Sequence, residues 1–123
     1  MRSNKDTRGR SYYDVFETVN GQIDLSHNYP GVIRGFHLHR HKDETWVCIK
    51  GNFKVVLSDP VEKFYLSEGE TVFIKRGRWH GFQVLGNEEA IMLEYTTEKH
   101  DMNNLDDERE VYDKFDKWEI EKK

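Results

Sequence analysis

The stretch from Gly31 to Gly51 constrains the fold more than any other part of the chain. It reads G-x5-H-x-H-x4-E-x6-G, and its polar members include His37, His39 and Glu44. Side chains two residues apart in a β-strand point to the same face. A strand over 32–39 therefore presents both imidazoles on one face.

The segment that follows returns the chain towards these histidines. The apolar run 46–49 predicts the next strand, with residues 41–43 as the connecting turn. An antiparallel hairpin of this kind would bring Glu44 back to the two imidazoles. Two imidazoles and a carboxylate on one face form either a metal site or an acid–base site.

Short alternating runs joined by turn signals continue along the chain. Asn20-Gly21 and Gly86-Asn87 are turn dipeptides between such runs. The pattern predicts an all-β, antiparallel jelly-roll barrel over about residues 11–97. A chain of 123 residues suffices for one such domain. For the polar extension 98–123 the sequence predicts either a short helix over 108–119 or an extended segment across a neighbour.

Composition excludes several partners. The formal net charge of −4 gives no electrostatic reason to expect nucleic acid. No apolar run is long enough to cross a membrane, and residues 1–10 lack the apolar centre of a signal peptide. Cys48 is the single cysteine, so no disulfide framework is expected. These features predict a cytoplasmic protein that binds neither nucleic acid nor membrane.

The chain resembles the cupin family over nearly its whole length. The spacing of the histidine stretch is that of the first cupin motif. The second motif, G-x5-P-x-G-x2-H-x3-N, is matched from Gly69, with Gly77 and His80 in place, while Lys75 and Val84 replace the usual proline and asparagine. The resemblance implies a single-domain, antiparallel double-stranded β-helix.

Three segments resemble one branch of the cupins, the dTDP-4-dehydrorhamnose 3,5-epimerase-like enzymes. They are GVIRGFH at 31–37, WHGF at 79–82 and DTRG at 6–9. The resemblance implies a nucleotide-sugar substrate, with Arg34 on the nucleotide phosphates, a role that suits the guanidinium fork. It also implies His37 as the catalytic base.

The implied reaction inverts a carbon next to a ketone. In a 4-keto-6-deoxy sugar the hydrogens on C3 and C5 are acidic, and inversion needs a base, an acid across the ring and a group that stabilises the enolate. The family's acid is a tyrosine, and the matching segment here places His100 at that position. Asp106 and Asp107 are candidates for the aspartate that orients the base.

The sequence departs from that branch towards a metal site. His39 replaces the family's glutamine and Glu44 replaces its lysine, whereas the rhamnose-type epimerases are regarded as metal-free. The chain is also similar to the zinc-containing C-terminal cupin domains of capsular-polysaccharide reductases. The predicted ligands of a divalent metal, zinc first, are His37, His39, Glu44 and His80, and no organic cofactor is expected.

The remaining expectations concern the substrate pocket, assembly and alternative functions. The predicted substrate-binding residues are Arg34, His39, Lys75 and Arg78, the last two on a basic loop that is either a pocket rim or a solvated loop. A homodimer is expected, paired through the N-terminal strands by Tyr12, Tyr13 and Phe16. The alternatives to an epimerase are a dTDP-sugar 3,4-ketoisomerase, a metal-dependent oxygenase and a non-catalytic sugar-binding cupin.

Overall fold

The computed structural model describes residues 1–17, 19–58 and 60–100, and the backbone of 109–111. All regular structure in these residues is β-strand. The strands are β1 (Arg2–Asp6), β2 (Gly9–Tyr13), β3 (Gln22–Asn28), β4 (Ile33–His39), β5 (Glu44–Lys50), β6 (Asn52–Ser58), β7 (Glu62–Leu66), β8 (Thr71–Ile74), β9 (Trp79–Leu85), β10 (Ala90–Thr96) and β11 (Arg109–Val111). Within the described ranges there is no helix that is long and apolar enough to cross a membrane.

The strands form two antiparallel sheets with a shared core. One sheet has the order β1-β2-β3-β10-β5-β8, and the other has the order β11-β4-β9-β6-β7. Trp46 and Met92 from the first sheet pack in one buried cluster with Phe53 and Phe82 from the second. Burial of these side chains from water supplies most of the stabilisation of the fold. The prediction of an all-β jelly roll is confirmed.

The prediction of a hairpin between the two halves of the histidine stretch is wrong. β4 pairs with β9, whereas β5 pairs with β10 and β8, so the two strands belong to different sheets. Residues 40–43 carry the chain from one sheet to the other. Glu44 therefore meets the histidines across the interior of the barrel and not along a shared ladder.

Strand boundaries differ from the sequence pattern at both ends of the chain. The barrel, predicted to begin near residue 11, begins with β2 at Gly9, and β1 precedes it as a polar edge strand. Polar edge strands carry little hydrophobic alternation, which hides them from pattern reading. In the extension, 109–111 form β11 against β4 of the same chain, so these residues of the predicted helix are strand, and an extended segment across a neighbour stays a prediction. The other residues beyond 100, including Asp106 and Asp107, lie outside the described residues.

A bulge in β4 aims the site residues into the barrel. Arg34 pairs with Phe82, Gly35 with Gly81 and His37 with His80, so one extra residue is inserted before His37. Strict alternation would point residues 34 and 37 to opposite faces, and the inserted residue brings both to the inner face. Gly35 has φ 88°, and a Cβ there would lie 2.7 Å from the His80 carbonyl oxygen. The glycine of the R-G-x-H sequence is therefore a backbone requirement of the bulge.

The aromatic residues expected at a dimer interface divide between two environments. Tyr13 faces inward, where the Arg2 guanidinium lies 4.7 Å from the centre of its ring. Tyr12 is half-buried against the His27 ring on the outer face, and Phe16 is exposed. The homodimer stays a prediction.

Candidate active site

A cavity of about 700 Å³ opens inside the barrel, and both sheets line it. The five-stranded sheet contributes nitrogen groups from β4 and β9, namely Arg34, His37, His39 and His80. The six-stranded sheet contributes the carboxyl groups of Asp24, Glu44 and Glu94 from β3, β5 and β10. We call these the imidazole wall and the carboxyl wall.

Three histidines of the imidazole wall form a tight cluster. One ring nitrogen from each of His37, His39 and His80 lies within 4.8 Å of the others. The centre of the His37 ring is 4.7 Å from that of His80 and 5.2 Å from that of His39. The register pair His37–His80 and the alternation of β4 produce this cluster. The sequence prediction that the histidines converge is confirmed.

Glu44 meets this cluster from the carboxyl wall. Its Oε1 lies 2.8 Å from His39 Nε2, its Oε2 accepts a hydrogen bond of 2.7 Å from Trp46 Nε1, and His80 Nε2 is 3.5 Å away. Burial opposes ionisation of Glu44, but the neighbouring His80 and His39 outweigh it and hold the pKa of the carboxyl well below its usual range. Glu44 is therefore a carboxylate at neutral pH.

The hydrogen bonds of His80 fix which of its nitrogens faces the cluster. Nδ1 lies 3.0 Å from the carbonyl oxygen of Arg78, and a carbonyl only accepts, so Nδ1 carries the proton. The lone pair is then on Nε2, which is buried without a hydrogen-bond partner. Burial lowers the pKa of His80, and the neighbouring Glu44 carboxylate opposes this shift.

His100 lies at the end of the cavity, beside β10. Its ring centre is 5.5 Å from that of His39. Its Nδ1 is 3.1 Å from Nζ of the buried Lys42, and its Nε2 is 3.5 Å from Asp24 Oδ2. Its backbone N–H donates to Gln22 Oε1 at 3.0 Å. The structure thus brings His100 into the cavity, with both ring nitrogens next to charged groups.

The predicted substrate-binding residues divide into two groups. Arg34 and His39 line the cavity; Arg34 donates to Asn28 Oδ1 through Nε and keeps a buried Nη2 without a hydrogen-bond partner. Lys75 is exposed outside the cavity lining. Arg78 also lies outside it, paired with Glu62 at 2.9 Å, and its backbone carbonyl orients His80.

Comparison with known proteins identifies the family. The model of the cupin domain matches residues 27–96. The chain belongs to the cupin family. This cupin is 30% identical over 131 residues to the probable low-salt glycan biosynthesis epimerase Agl13 of Haloferax volcanii, with 92% of this chain and 84% of that protein covered. It is 31% identical over 104 residues to the spore coat polysaccharide biosynthesis protein SpsL of Bacillus subtilis, with 76% and 69% covered.

Solved structures agree with the fold. The capsular polysaccharide assembling protein CapF of Staphylococcus aureus matches 89% of this cupin with a TM-score of 0.80 at 23% identity. This cupin spans 33% of the length of CapF, so the likeness concerns one part of that protein and shows the fold alone. The match to the cupin-domain model and the two relatives confirm the resemblance to the dTDP-4-dehydrorhamnose 3,5-epimerase-like cupins.

The donor set of this cupin fits a divalent metal. Neutral imidazoles and a carboxylate are the ligands that zinc and related ions take in proteins. Two buried nitrogens, His39 Nδ1 and His80 Nε2, have no hydrogen-bond partner. The Nδ1–H of His80 on a backbone carbonyl is the second contact that metal-binding histidines usually make. His37, His39 and His80 are thus able to hold a cation, with Glu44 beside them.

Sequence reasoning missed four charged residues of the cavity, Arg2, Arg8, Asp24 and Glu94. Arg2 and Asp24 lie on strands whose polar alternation resembles a solvated face. Glu94 had a detectable signal, because it falls on the same face of β10 as the buried Ala90, Met92 and Thr96. A charged residue in register with core positions is more often functional than structural.

Proposed function

We propose that this cupin is an epimerase that acts on a nucleotide-linked 4-keto-6-deoxy sugar in glycan biosynthesis. The observation that carries the proposal is the placement of basic imidazoles and acidic carboxyls on opposite walls of one cavity. Inversion at a carbon requires proton removal on one face of the sugar and proton return on the other. The names of the two relatives support a role in glycan synthesis.

His37 is the proposed base. It is half-buried at the cavity surface, whereas His39 and His80 are buried and contact Glu44. An imidazole titrates near neutral pH, so it accepts the proton from the carbon next to the ketone and later releases it to water. The C–H electron pair moves into the enolate, whose oxygen the site must stabilise.

The metal site supports the same step. His39, Glu44 and His80 would hold a divalent cation, zinc first, with His37 as a further ligand where it does not act as base. A bound cation supplies Lewis-acid stabilisation of negative charge on the carbonyl oxygen. Glu44 also fixes the orientation of His39 through their contact of 2.8 Å.

Three arginines support a nucleotide-linked substrate. Arg2, Arg8 and Arg34 line the same cavity from β1, the β1–β2 turn and β4. Asp6 holds Arg8 in place through contacts of 2.6 and 3.2 Å. Guanidinium groups bind phosphate oxygens in a bidentate manner, so this cluster suits a diphosphate.

A 3,4-ketoisomerase is the second candidate. The adjacent His37 and His39 rings, 5.2 Å apart on one wall, suit proton transfer between neighbouring carbons on one face of the sugar. Incubation with a nucleotide-linked 4-keto-6-deoxy sugar in deuterated water separates the candidates by nuclear magnetic resonance. Deuterium incorporation with inversion at C3 or C5 supports the epimerase, movement of the carbonyl supports the ketoisomerase, and absence of both contradicts the two.

A further inference from the structure

Glu94 is a cavity residue to which the proposed chemistry has so far given no role. It lies on the inner face of β10, half-buried, in register with Asp24 of β3 and Trp46 of β5. Among the described residues no hydrogen bond or ion pair engages its carboxyl group. The acidic side chain thus lies on an inner face without a hydrogen bond or ion pair from the described residues that would explain its presence there.

The groups that face Glu94 come from every neighbouring element. β3 contributes Asp24, β5 contributes Glu44, and β4 contributes Arg34 from the opposite wall. Withdrawal from water, together with the carboxylates of Glu44 and Asp24, raises the pKa of the Glu94 carboxyl well above its usual range; Arg34 opposes the shift. These surroundings favour the protonated form of the carboxyl, which is the form that can donate a proton.

The position of Glu94 complements that of His37. His37 belongs to the five-stranded sheet and Glu94 to the six-stranded sheet, and both line the same cavity. A sugar ring that lies between the sheets presents one face to each. These are the positions that an inversion requires, because a single base can only return the proton to the face it came from.

We propose that Glu94 donates the proton that completes inversion, on the face of the sugar opposite His37. This inference rests on the proposed epimerase function. His37 takes the proton from carbon, and the C–H electron pair forms the enolate. The enolate carbon then takes the carboxyl proton of Glu94, which leaves Glu94 as a carboxylate. Water returns a proton to Glu94 and accepts one from the His37 imidazolium, so atoms and charge balance.

His100 suits this step less well. The Lys42 ammonium only donates, so His100 Nδ1 accepts from it and the ring proton lies on Nε2, directed at Asp24. His100 thus has the Lys42 ammonium 3.1 Å from Nδ1 and the Asp24 carboxylate 3.5 Å from Nε2, so charged groups flank both ring nitrogens. His100→Gln therefore tests the rival donor, and His41→Gln, on the exposed loop after β4, is the control.

The test compares Glu94→Gln with His100→Gln in the full-length, metal-loaded protein, with a nucleotide-linked 4-keto-6-deoxy sugar in deuterated water. Glu94→Gln should slow inversion of the sugar carbon by about 10²–10⁴-fold. Deuterium exchange with retention of configuration should continue, because His37 still removes the proton and returns it to the same face. His100→Gln should keep inversion and exchange coupled. Inversion that survives in Glu94→Gln, or that is lost only in His100→Gln, would overturn the assignment.

A second variant guards against a folding defect. Glu94→Asp keeps the carboxyl group but withdraws it by one methylene. If Glu94→Gln does not melt cooperatively, the aspartate variant decides: inversion slowed more than exchange supports the role, and equal slowing contradicts it. If the wild-type protein neither exchanges nor inverts any such sugar, that result contradicts the epimerase function itself, together with this role of Glu94.

Discussion

The two walls of the cavity differ in chemistry and in how their side chains are held. The imidazole wall is built from two adjacent strands, and its rings are fixed by the β4–β9 register and by the bond from His80 to the Arg78 carbonyl. The carboxyl wall spreads its acidic groups over β3, β5 and β10. Glu44 there is held by Trp46 and His39, whereas Glu94 has no such partner among the described residues.

The two walls place like carboxyl groups in opposite electrostatic surroundings. Glu44 lies against imidazoles that favour its charged form, and Glu94 lies among other carboxylates that favour its neutral form. Two glutamates on the same sheet therefore have pKa values displaced in opposite directions. Separation of this kind distinguishes a structural or ligand carboxylate from a proton donor.

Removal of the base from the imidazole wall should have the largest effect. His37→Asn should lower deuterium exchange at the sugar carbon by about 10²–10⁴-fold, since an amide cannot accept the proton. The exposed His41→Asn, on the loop after β4, is the matched control and should retain full exchange. Exchange is followed by nuclear magnetic resonance, and metal content by elemental analysis.

Two results of the His37 experiment carry different meanings. Loss of exchange with full metal content supports His37 as the base. Simultaneous loss of metal and exchange makes His37 a ligand and transfers the role of base to another residue. An active, fully metallated His37→Asn protein would contradict both roles.

The contact between Glu44 and His39, which joins the two walls, should govern how tightly the metal is retained. His39→Ala removes a proposed ligand, so near-stoichiometric metal in the purified protein should be lost. Trp46→Phe leaves the ligands intact but removes the hydrogen bond that orients Glu44, and such changes lower metal affinity by about 10–100-fold. Elemental analysis and competition with a chromogenic chelator measure both.

The outer-face His27→Ala is the control for the metal experiment, because its ring contacts Tyr12 and Glu89 away from the cavity. It should bind metal as the wild type does. If the purified wild-type protein contains no metal and chelators do not change its activity, the metal prediction is wrong. The histidines of the imidazole wall would then act only as acids and bases.

The imidazole wall could be predicted from sequence and the carboxyl wall mostly could not. His37 and His39 are two residues apart, and strand alternation alone places them together. Glu44 was predicted to join them, but through a hairpin that does not exist. Glu44 still meets the histidines, because its short separation along the chain limits its distance from them. The pairing of β4 with β9 could not be predicted in this way, because it depends on contacts between residues far apart in sequence.

Asp24 and Glu94 were not predicted as site residues, and the reason is physical. A charged residue in a strand usually faces solvent, and the sheet order β3-β10-β5 is what places Asp24 and Glu94 side by side on one interior. The inward direction of Arg34 likewise depends on the bulge before His37, which adds one residue to the count. Pattern reading with a fixed period of two cannot detect such an insertion.

The bulge supplies the smallest and sharpest of the tests. Gly35→Ala places a Cβ 2.7 Å from the His80 carbonyl oxygen at a residue with φ 88°, so both backbone strain and a clash with β9 result. Gly69→Ala is the matched control, since its φ of 84° imposes similar strain where no atom lies within 4 Å of the added Cβ. Gly35→Ala should lower the free energy of unfolding by about 1–3 kcal/mol through strain, with a further loss from the clash. Gly69→Ala should show the strain alone. Chemical denaturation measures both, and equal losses would show that contact between β4 and β9 at this point does not hold the imidazole wall in place.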